Sequence, residues 1–167
     1  MRTVRTSNGG GFVKKVKVLA LVLLWLGGLL WLAPTIRPAY AQSWNVSGDG
    51  LWSVAGNWNP SAVPNGSSTD VLITNGASTV TLDMSASVGN LTIAAGNTLA
   101  AKTGTALTVY GPTISNAGAI VLNGGGGAYA DLVLGANTTL SGGGTLTLNS
   151  QDNNGQARIY QSGGNYT

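Results

Sequence analysis

Side chains that could perform acid–base chemistry are scarce in this 167-residue chain. From Gln42 onward the chain has no Glu, His or Cys, and its only basic residues are Lys102 and Arg158. Glycoside hydrolysis needs two carboxylates held together, and polysaccharide elimination needs a basic proton acceptor. The acidic residues are five scattered aspartates: Asp49, Asp70, Asp83, Asp131 and Asp152. We therefore expect no catalytic residue and no cofactor, and we interpret Asp83 and Asp131 as solvated strand or turn residues.

A glycine run at Gly124–Gly127 is the candidate for a calcium site. The calcium-binding repeat of parallel β-rolls runs Gly-Gly-x-Gly-x-Asp, and Asp131 follows this run. In that frame, however, Tyr129 stands where the aspartate should be, and the phrase occurs once. The run also lacks the Gly-Lys-Ser/Thr of a phosphate-binding loop. We predict a surface turn here and no metal site.

Threonines are a further group to consider, because a flat array of hydroxyl and methyl groups can order water, as in ice-binding solenoids. The candidates lie in or beside apolar runs: Thr79, Thr81, Thr92, Thr108, Thr139, Thr145 and Thr147. Such an array needs strands at regular intervals, and the intervals in this sequence vary. We therefore favour the simpler interpretation that threonine suits the exposed face of a strand.

The first 41 residues have the features of a secretory signal peptide. Basic residues precede a 16-residue apolar run at positions 18–33, which is shorter than the roughly 20 residues that span a bilayer. Pro34 and Pro38 end this helical stretch, and the small residues Ala39 and Ala41 suit a signal peptidase. We predict cleavage between Ala41 and Gln42, with an uncleaved membrane anchor as the alternative. The partners implied are the secretion machinery and, during export only, the membrane.

The charge of the chain differs between the leader and the rest. Six of the eight basic residues lie in the leader, whereas residues 42–167 carry two basic and five acidic side chains, a net charge of −3. That balance argues against a nucleic-acid partner. Ser, Thr and Asn supply 42 of these 126 residues, a composition typical of disorder unless the apolar residues follow a pattern.

The apolar residues do follow a pattern, in triplets whose first and third positions are apolar. The major triplets are Leu91-Thr92-Ile93, Leu107-Thr108-Val109, Ile120-Val121-Leu122, Leu132-Val133-Leu134 and Leu146-Thr147-Leu148. Because side chains alternate along a strand, each triplet points its two apolar residues to one face. No single triplet can bury that pair alone, whereas stacked turns of chain build a continuous core.

This pattern predicts an all-β fold, a right-handed parallel β-helix (β-solenoid) with turns of roughly 20–30 residues. A β-sandwich is the alternative, because regularly spaced short strands also form that fold. We divide the chain into a signal peptide at residues 1–41, an N-terminal cap with the first strands at 42–85, and the β-helix repeat region at 86–167. Asn75-Gly76, between two apolar runs, indicates either a hairpin or a tight corner.

Three tryptophans, Trp44, Trp52 and Trp58, are all the tryptophans of the predicted mature chain. One hypothesis is that they are exposed and stack on sugar rings. The other is a structural cap, because the first turn of a solenoid otherwise exposes apolar side chains and unpaired backbone groups. We favour the cap, since this segment directly precedes the repeats.

Residues 44–122 resemble the opening of bacterial surface proteins built on autotransporter-associated β-strand repeats. The matching residues are Trp44, Gly50, Trp52, Gly56-Asn57-Trp58, Pro64, Asp70, Val80-Thr81-Leu82, Val88-Gly89-Asn90-Leu91-Thr92-Ile93 and Ser115-Asn116-Ala117-Gly118-Ala119-Ile120. The resemblance implies a right-handed parallel β-helix passenger of an autotransporter or adhesin, secreted or associated with the outer membrane at the bacterial cell surface. It implies a structural or adhesive role with host-cell, matrix or carbohydrate ligands, and it carries over no catalytic residue.

The alternative function is the N-terminal part of a carbohydrate-active β-helix enzyme, a polysaccharide lyase or hydrolase with its active site beyond Thr167. The segment from Gln151 to Thr167 bears on both functions, because no amphipathic helix, proline or charged edge that would close a solenoid follows Ile159. An uncovered edge recruits other chains. We therefore expect the sequence to belong to a longer protein, and we expect its C-terminal end, expressed alone, to associate or fray.

Overall fold

The computed structural model describes residues 40–163, so the predicted signal peptide lies outside the described residues except for Tyr40 and Ala41. The described chain is nearly all-β and forms a β-solenoid of about five turns. It contains fifteen strands and one 3₁₀ turn at Ala55–Asn57. Within this part of the chain, no helix is long and apolar enough to cross a bilayer.

The strands form three sheets. Sheet A contains β1 (Tyr40–Trp44), β3 (Trp58–Asn59), β4 (Thr69–Ile73), β7 (Leu91–Ile93), β10 (Thr113–Asn116) and β13 (Thr139–Ser141). Sheet B contains β2 (Gly50–Leu51), β5 (Thr79–Leu82), β8 (Thr98–Ala101), β11 (Ala119–Gly124) and β14 (Thr145–Ser150). Sheet C contains β6 (Ala86–Val88), β9 (Thr105–Val109), β12 (Ala130–Leu134) and β15 (Ala157–Gln161).

Strands that follow one another from β4 onward lie in different sheets, and each pairs in parallel with the strand one turn away. In sheet A, Val71 pairs with Leu91, Leu91 with Ile114 and Ile114 with Leu140, offsets of 20, 23 and 26 residues. The turns therefore lengthen along the chain while the register of the inward residues stays aligned. This arrangement confirms the predicted β-solenoid and is incompatible with the alternative of a β-sandwich, whose neighbouring strands would pair as hairpins.

Alternating side chains build the interior, as the triplets predict. In β9 the burial alternates along the strand, so Leu107 and Val109 are buried while Thr108 faces outward. The same inward row continues from Leu107 to Leu132 and Ile159 through the parallel register. Because the inward residues of successive turns stack at the spacing of neighbouring strands, each turn covers the apolar side chains of the turn beside it.

Corners join the sheets. Asn75-Gly76 lies between β4 of sheet A and β5 of sheet B, strands that do not pair with each other. Of the two interpretations of this dipeptide, the hairpin is therefore wrong and the tight corner is correct. Gly76 has a φ of 69°, a left-handed conformation that glycine adopts without the steric cost of a Cβ. The hairpin did not form because the two apolar runs pair with strands of the next turn, β4 with β7 and β5 with β8, instead of with each other.

The first turn differs from the rest because its chain folds back over the end of the solenoid. β3 pairs antiparallel with the outer edge of β1, opposite Ser43 and Trp44. Sheet C begins only with β6, so the tryptophan-containing segment occupies the first turn without adding a strand to that sheet. β5 and β6 lie on either side of the predicted boundary between residues 85 and 86. β5 pairs in parallel with β8, and β6 pairs in parallel with β9, so the repeat arrangement already includes the second turn.

The last described turn leaves inward positions uncovered. Leu140 and Leu148 are each 48% exposed and Ile159 is 38% exposed, although their register partners one turn earlier are buried. Among the described strands, β13, β14 and β15 each pair only with a strand of the preceding turn. These three apolar side chains of the last described turn are therefore partly exposed to solvent.

Candidate functional site

The carboxylates are held mainly by groups of adjacent turns. Asp49 accepts a 2.7 Å hydrogen bond from the Thr79 backbone, and Asp70 accepts from both the backbone and the side chain of Asn90 at 2.8 and 3.0 Å. Asp152 accepts from the Gly126 backbone at 2.9 Å. Charge-assisted bonds of this kind are stronger than neutral ones. The aspartates therefore join turns to each other, which the sequence pattern did not reveal.

Asp83, like Asp152, accepts hydrogen bonds from a residue of the preceding turn. The backbone N–H and the hydroxyl of Ser53 donate to its two carboxylate oxygens at 3.0 and 2.6 Å. Partial burial acts to raise the pKa of Asp83, but the hydrogen bonds from Ser53 outweigh that effect and hold its pKa below the usual value of 3.8. Asp83 is partly exposed, as predicted for a strand or turn residue, yet it is bound to the first turn.

Asp131 is not the solvated residue that we predicted, because it is buried on the outer side of sheet C. Its register partner one turn later is Arg158. The guanidinium Nε and Nη2 donate to the two carboxylate oxygens of Asp131, each at 2.8 Å, which makes a bidentate ion pair. The prediction was wrong because it considered Asp131 in isolation, whereas a buried carboxylate is tolerated when such a partner satisfies it.

Two tyrosines surround the guanidinium of Arg158. Its Cζ lies 3.5 Å from the ring centroid of Tyr129 and 5.4 Å from that of Tyr160, both within the range of a cation–π contact. The hydrogen bonds to Asp131 raise the pKa of Arg158 above its already high usual value, so the guanidinium is charged at every pH at which proteins are normally studied. We call Tyr129, Asp131, Arg158 and Tyr160 the sheet C cluster.

A surface cavity of about 210 Å³ borders this cluster. Its lining is Ser85, Gly104, Thr105, Ala106, Tyr129 and Asp131. Asp131 and Ala106 are register partners on adjacent strands, and Gly104 and Ala106 are small. The lining of the cavity therefore combines an acidic and an aromatic residue with small residues. Ligand pockets usually combine apolar area with a few placed polar groups.

The glycine run at 124–127 forms a turn, as predicted. Gly125, Gly126 and Gly127 all have positive φ, and Gly125 bridges to Ala128. The turn is fixed to the next one by the bond from Gly126 to Asp152, while Asp131 pairs with Arg158. Within residues 40–163, no group of three His, Cys, Asp or Glu side chains is placed to hold a metal ion.

The candidate threonines do not share one face. Thr92 and Thr139 belong to sheet A, Thr108 belongs to sheet C, and the remaining four belong to sheet B: Thr79, Thr81, Thr145 and Thr147. A single water-ordering surface made of all seven is therefore excluded. Thr92 and Thr108 alternate with buried neighbours along their strands, which agrees with the interpretation of threonine as an outward strand residue.

The three tryptophans are buried rather than exposed. Trp52 and Trp58 are fully buried and Trp44 is 2% exposed. Trp58 makes edge-to-face contacts with both others at centroid distances of 5.1 and 4.8 Å. The indole N–H groups of Trp52 and Trp58 donate to the carbonyls of Pro64 and Trp52 at 3.0 and 2.9 Å. These rings cannot stack on a sugar, and they lie where the predicted structural cap requires them.

The predicted cleavage residues lie at the edge of the described chain. Tyr40 and Ala41 pair in parallel with Thr69 and Asp70 at the start of β1. The side-chain amide of Gln42, in the orientation that satisfies it, donates to the carbonyls of Pro60 and Ala62 at 2.7 and 3.1 Å. Gln42 is buried and therefore belongs to the first turn of the fold. Cleavage between Ala41 and Gln42 stays a prediction.

The sequence matches no protein-family model, no curated protein and no solved structure. The resemblance to autotransporter-associated repeats therefore stays a prediction. Sequence inspection also missed the sheet C cluster, because Asp131 and Arg158 are 27 residues apart and meet only through the register. The available signal was that the chain's last cation lies in a short apolar strand, with a tyrosine beside it.

Proposed function

We propose that this chain is a secreted or cell-surface structural and adhesive β-solenoid of a bacterium, and that its described segment is non-catalytic. The observation that carries this proposal is the use of the five carboxylates. Each accepts a hydrogen bond or ion pair from an adjacent turn. Groups that are committed to holding turns together are poorly placed to exchange protons with a substrate.

The outer surface supports an adhesive role. Outward positions of the central strands are mostly small and uncharged, such as Thr92 and Ser115 in sheet A and Thr108 in sheet C. Stacked turns of a solenoid present a continuous surface on which a partner can bind. The ligands we propose are host-cell, matrix or carbohydrate molecules. The resemblance to autotransporter-associated repeats is consistent with display at the outer membrane.

Export is tested by expressing the full chain in a Gram-negative bacterium and determining the N-terminus of the extracellular or surface-bound product by mass spectrometry. We expect the product to begin at Gln42. Ala41→Arg places a large charged residue where signal peptidase needs a small one, so this variant should accumulate uncleaved. An exported product that begins at Met1, or retention of all the protein inside the cell, would contradict the proposal.

Adhesion and catalysis are tested separately. Cells that display the chain should bind to epithelial cells, extracellular matrix or polysaccharide-coated surfaces more than cells that display an unrelated passenger. The purified protein should not cleave pectin-like or other acidic polysaccharides. Turnover that is lost on Lys102→Ala or Arg158→Ala would show that the segment is catalytic and would overturn that part of the proposal.

A further inference from the structure

We propose that the cavity beside the sheet C cluster is a binding site for one sugar unit of a neutral polysaccharide. This inference rests on the proposed adhesive function and names a ligand class and a site for it. The first observation is the position of Tyr129. Tyr129 is 45% exposed, its ring packs against the guanidinium of Arg158, and the residue lines the cavity. An exposed aromatic ring supplies a flat apolar surface to the C–H groups of a sugar with little loss of conformational entropy.

Polar groups beside the ring provide hydrogen bonds of both kinds. The carboxylate of Asp131 lines the cavity and can accept hydrogen bonds from hydroxyl groups. Ser85 also lines the cavity; its hydroxyl oxygen accepts a hydrogen bond from the Ala106 backbone at 3.0 Å, which leaves the hydroxyl hydrogen as a donor. Neighbouring hydroxyl groups of a sugar ring are both donors and acceptors, which fits the carboxylate of Asp131 and the hydroxyl of Ser85, each already held by a hydrogen bond.

The charges favour a neutral sugar over an acidic one. Asp131 offsets the charge of Arg158, so the cluster itself is close to neutral. Residues 42–167 have a net charge of −3, which repels polyanions. A cavity of about 210 Å³ is also smaller than the roughly 300–1,000 Å³ of pockets that enclose a whole ligand. It suits one unit of a chain that continues over the surface.

The ion pair positions this site. Tyr129 precedes β12 and Arg158 lies in β15, so the guanidinium of one turn holds the ring that belongs to the turn before it. Arg158→Lys keeps the charge but loses the planar fork that bonds Asp131 in a bidentate manner. This variant should therefore weaken sugar binding by releasing the ring, with Arg158 acting as a positioning residue.

The experiment uses residues 39–167, which form one compact unit, labelled with ¹⁵N for NMR titration. The probes are the hexasaccharides of cellulose, mannan and β-galactan, with hexagalacturonate as the acidic control. At least one neutral probe should shift the amides of Ala106 and Tyr129. Tyr129→Ala should weaken that binding at least about tenfold, because the stacking contact is lost, whereas Tyr129→Phe should stay within about threefold.

Tyr110→Ala is the matched control, because Tyr110 is also 45% exposed. The cavity lies at the start of β9, whereas Tyr110 follows the last residue of β9 and lies against Gly135. Tyr110→Ala should change binding less than about twofold. The site is wrong if no neutral probe shifts these amides, if Tyr110→Ala weakens binding as much as Tyr129→Ala, or if the acidic probe binds equally well. Binding by the purified protein without export in cells would instead refute the proposed function and leave the site intact.

Discussion

The first and last described turns both place apolar side chains at inward positions, and they differ in what covers those side chains. At the N-terminal end, β3 pairs with the edge of β1, and Trp44, Trp52 and Trp58 are at most 2% exposed. At the C-terminal end, β15 pairs with β12 alone among the described strands, and Ile159 is 38% exposed. Both ends have apolar side chains at inward positions. The burial of those side chains therefore depends on a covering segment, in addition to the strand pattern.

One inward row makes this difference quantitative. Leu107 is 1% exposed, Leu132 is 2% exposed, and Ile159, in the same row, is 38% exposed. Burial of apolar surface stabilises a fold by about 25 cal/mol per Å². A residue in the middle of the stack is covered from both sides, whereas a residue of the last described turn is covered from one. Stability should therefore be concentrated in the central and N-terminal turns.

The largest effect should come from a charge in the middle of this row. Leu107→Asp places an unpaired carboxylate in the core and should lower the free energy of unfolding by more than about 4 kcal/mol, enough to unfold a marginal protein. Urea denaturation followed by circular dichroism measures it. Thr108→Asp, on the outer face of the same strand, should change stability by less than about 0.5 kcal/mol.

Ile159→Asp tests the comparison itself, because it places the same charge at the open end of the row. Water can reach this position, so we expect a loss of less than about 1 kcal/mol. Equal losses for Leu107→Asp and Ile159→Asp would mean that something covers the C-terminal turn as fully as the middle. Equal losses for Leu107→Asp and Thr108→Asp would mean that the register is off by one residue.

The next largest effect after that of Leu107→Asp should come from cavity formation, which should also separate the two ends. Trp52→Ala removes a fully buried indole that contacts Trp58 and should cost about 3–5 kcal/mol. Leu148→Ala removes a side chain that is already 48% exposed and should cost less than about 1 kcal/mol. Thermal unfolding of both variants, at equal protein concentration, checks the difference. A cost for Leu148→Ala that matches the cost for Trp52→Ala would show that both ends are closed.

The smallest effect should be a pH dependence at the N-terminal end. The pKa of Asp83 is lower in the folded protein than its usual value of 3.8, because Ser53 donates two hydrogen bonds to the carboxylate. Its contribution to stability is therefore fully present above the usual pKa and is lost as the pH falls through the lower, folded pKa. Because the side chain is partly exposed, this contribution should be modest.

Denaturation between pH 7 and pH 2 measures this contribution. In the Asp83→Asn variant, the part of the acid destabilisation that belongs to Asp83 should disappear. Ser53→Ala removes one donor and should reduce the same part of the profile without abolishing it. An unchanged acid profile in Asp83→Asn would mean that the bond to Ser53 does not stabilise the first turn.

The sequence predicted the repeat arrangement because that arrangement depends on local alternation. Leu91 and Ile93, for example, are buried as their triplet indicates. The sequence did not predict which residues of different turns contact each other, because the number of residues between register partners grows from 20 to 26 along sheet A. The contact between Asp131 and Arg158, 27 residues apart, therefore could not be derived from the sequence pattern. Because the loops vary in length, the register between turns cannot be derived from the sequence, and this register determines which residues of adjacent turns are in contact.

Hydrogen–deuterium exchange of residues 39–167, read amide by amide, tests the difference between the two ends most directly. Amides of β1 and of the central strands β7–β12 should exchange slowly, because both edges of those strands are paired or covered. Amides of β13–β15 should exchange at least about a hundredfold faster, as expected for an element that opens locally. Exchange of β1 as fast as that of β14, or equal protection of both ends, would contradict this account.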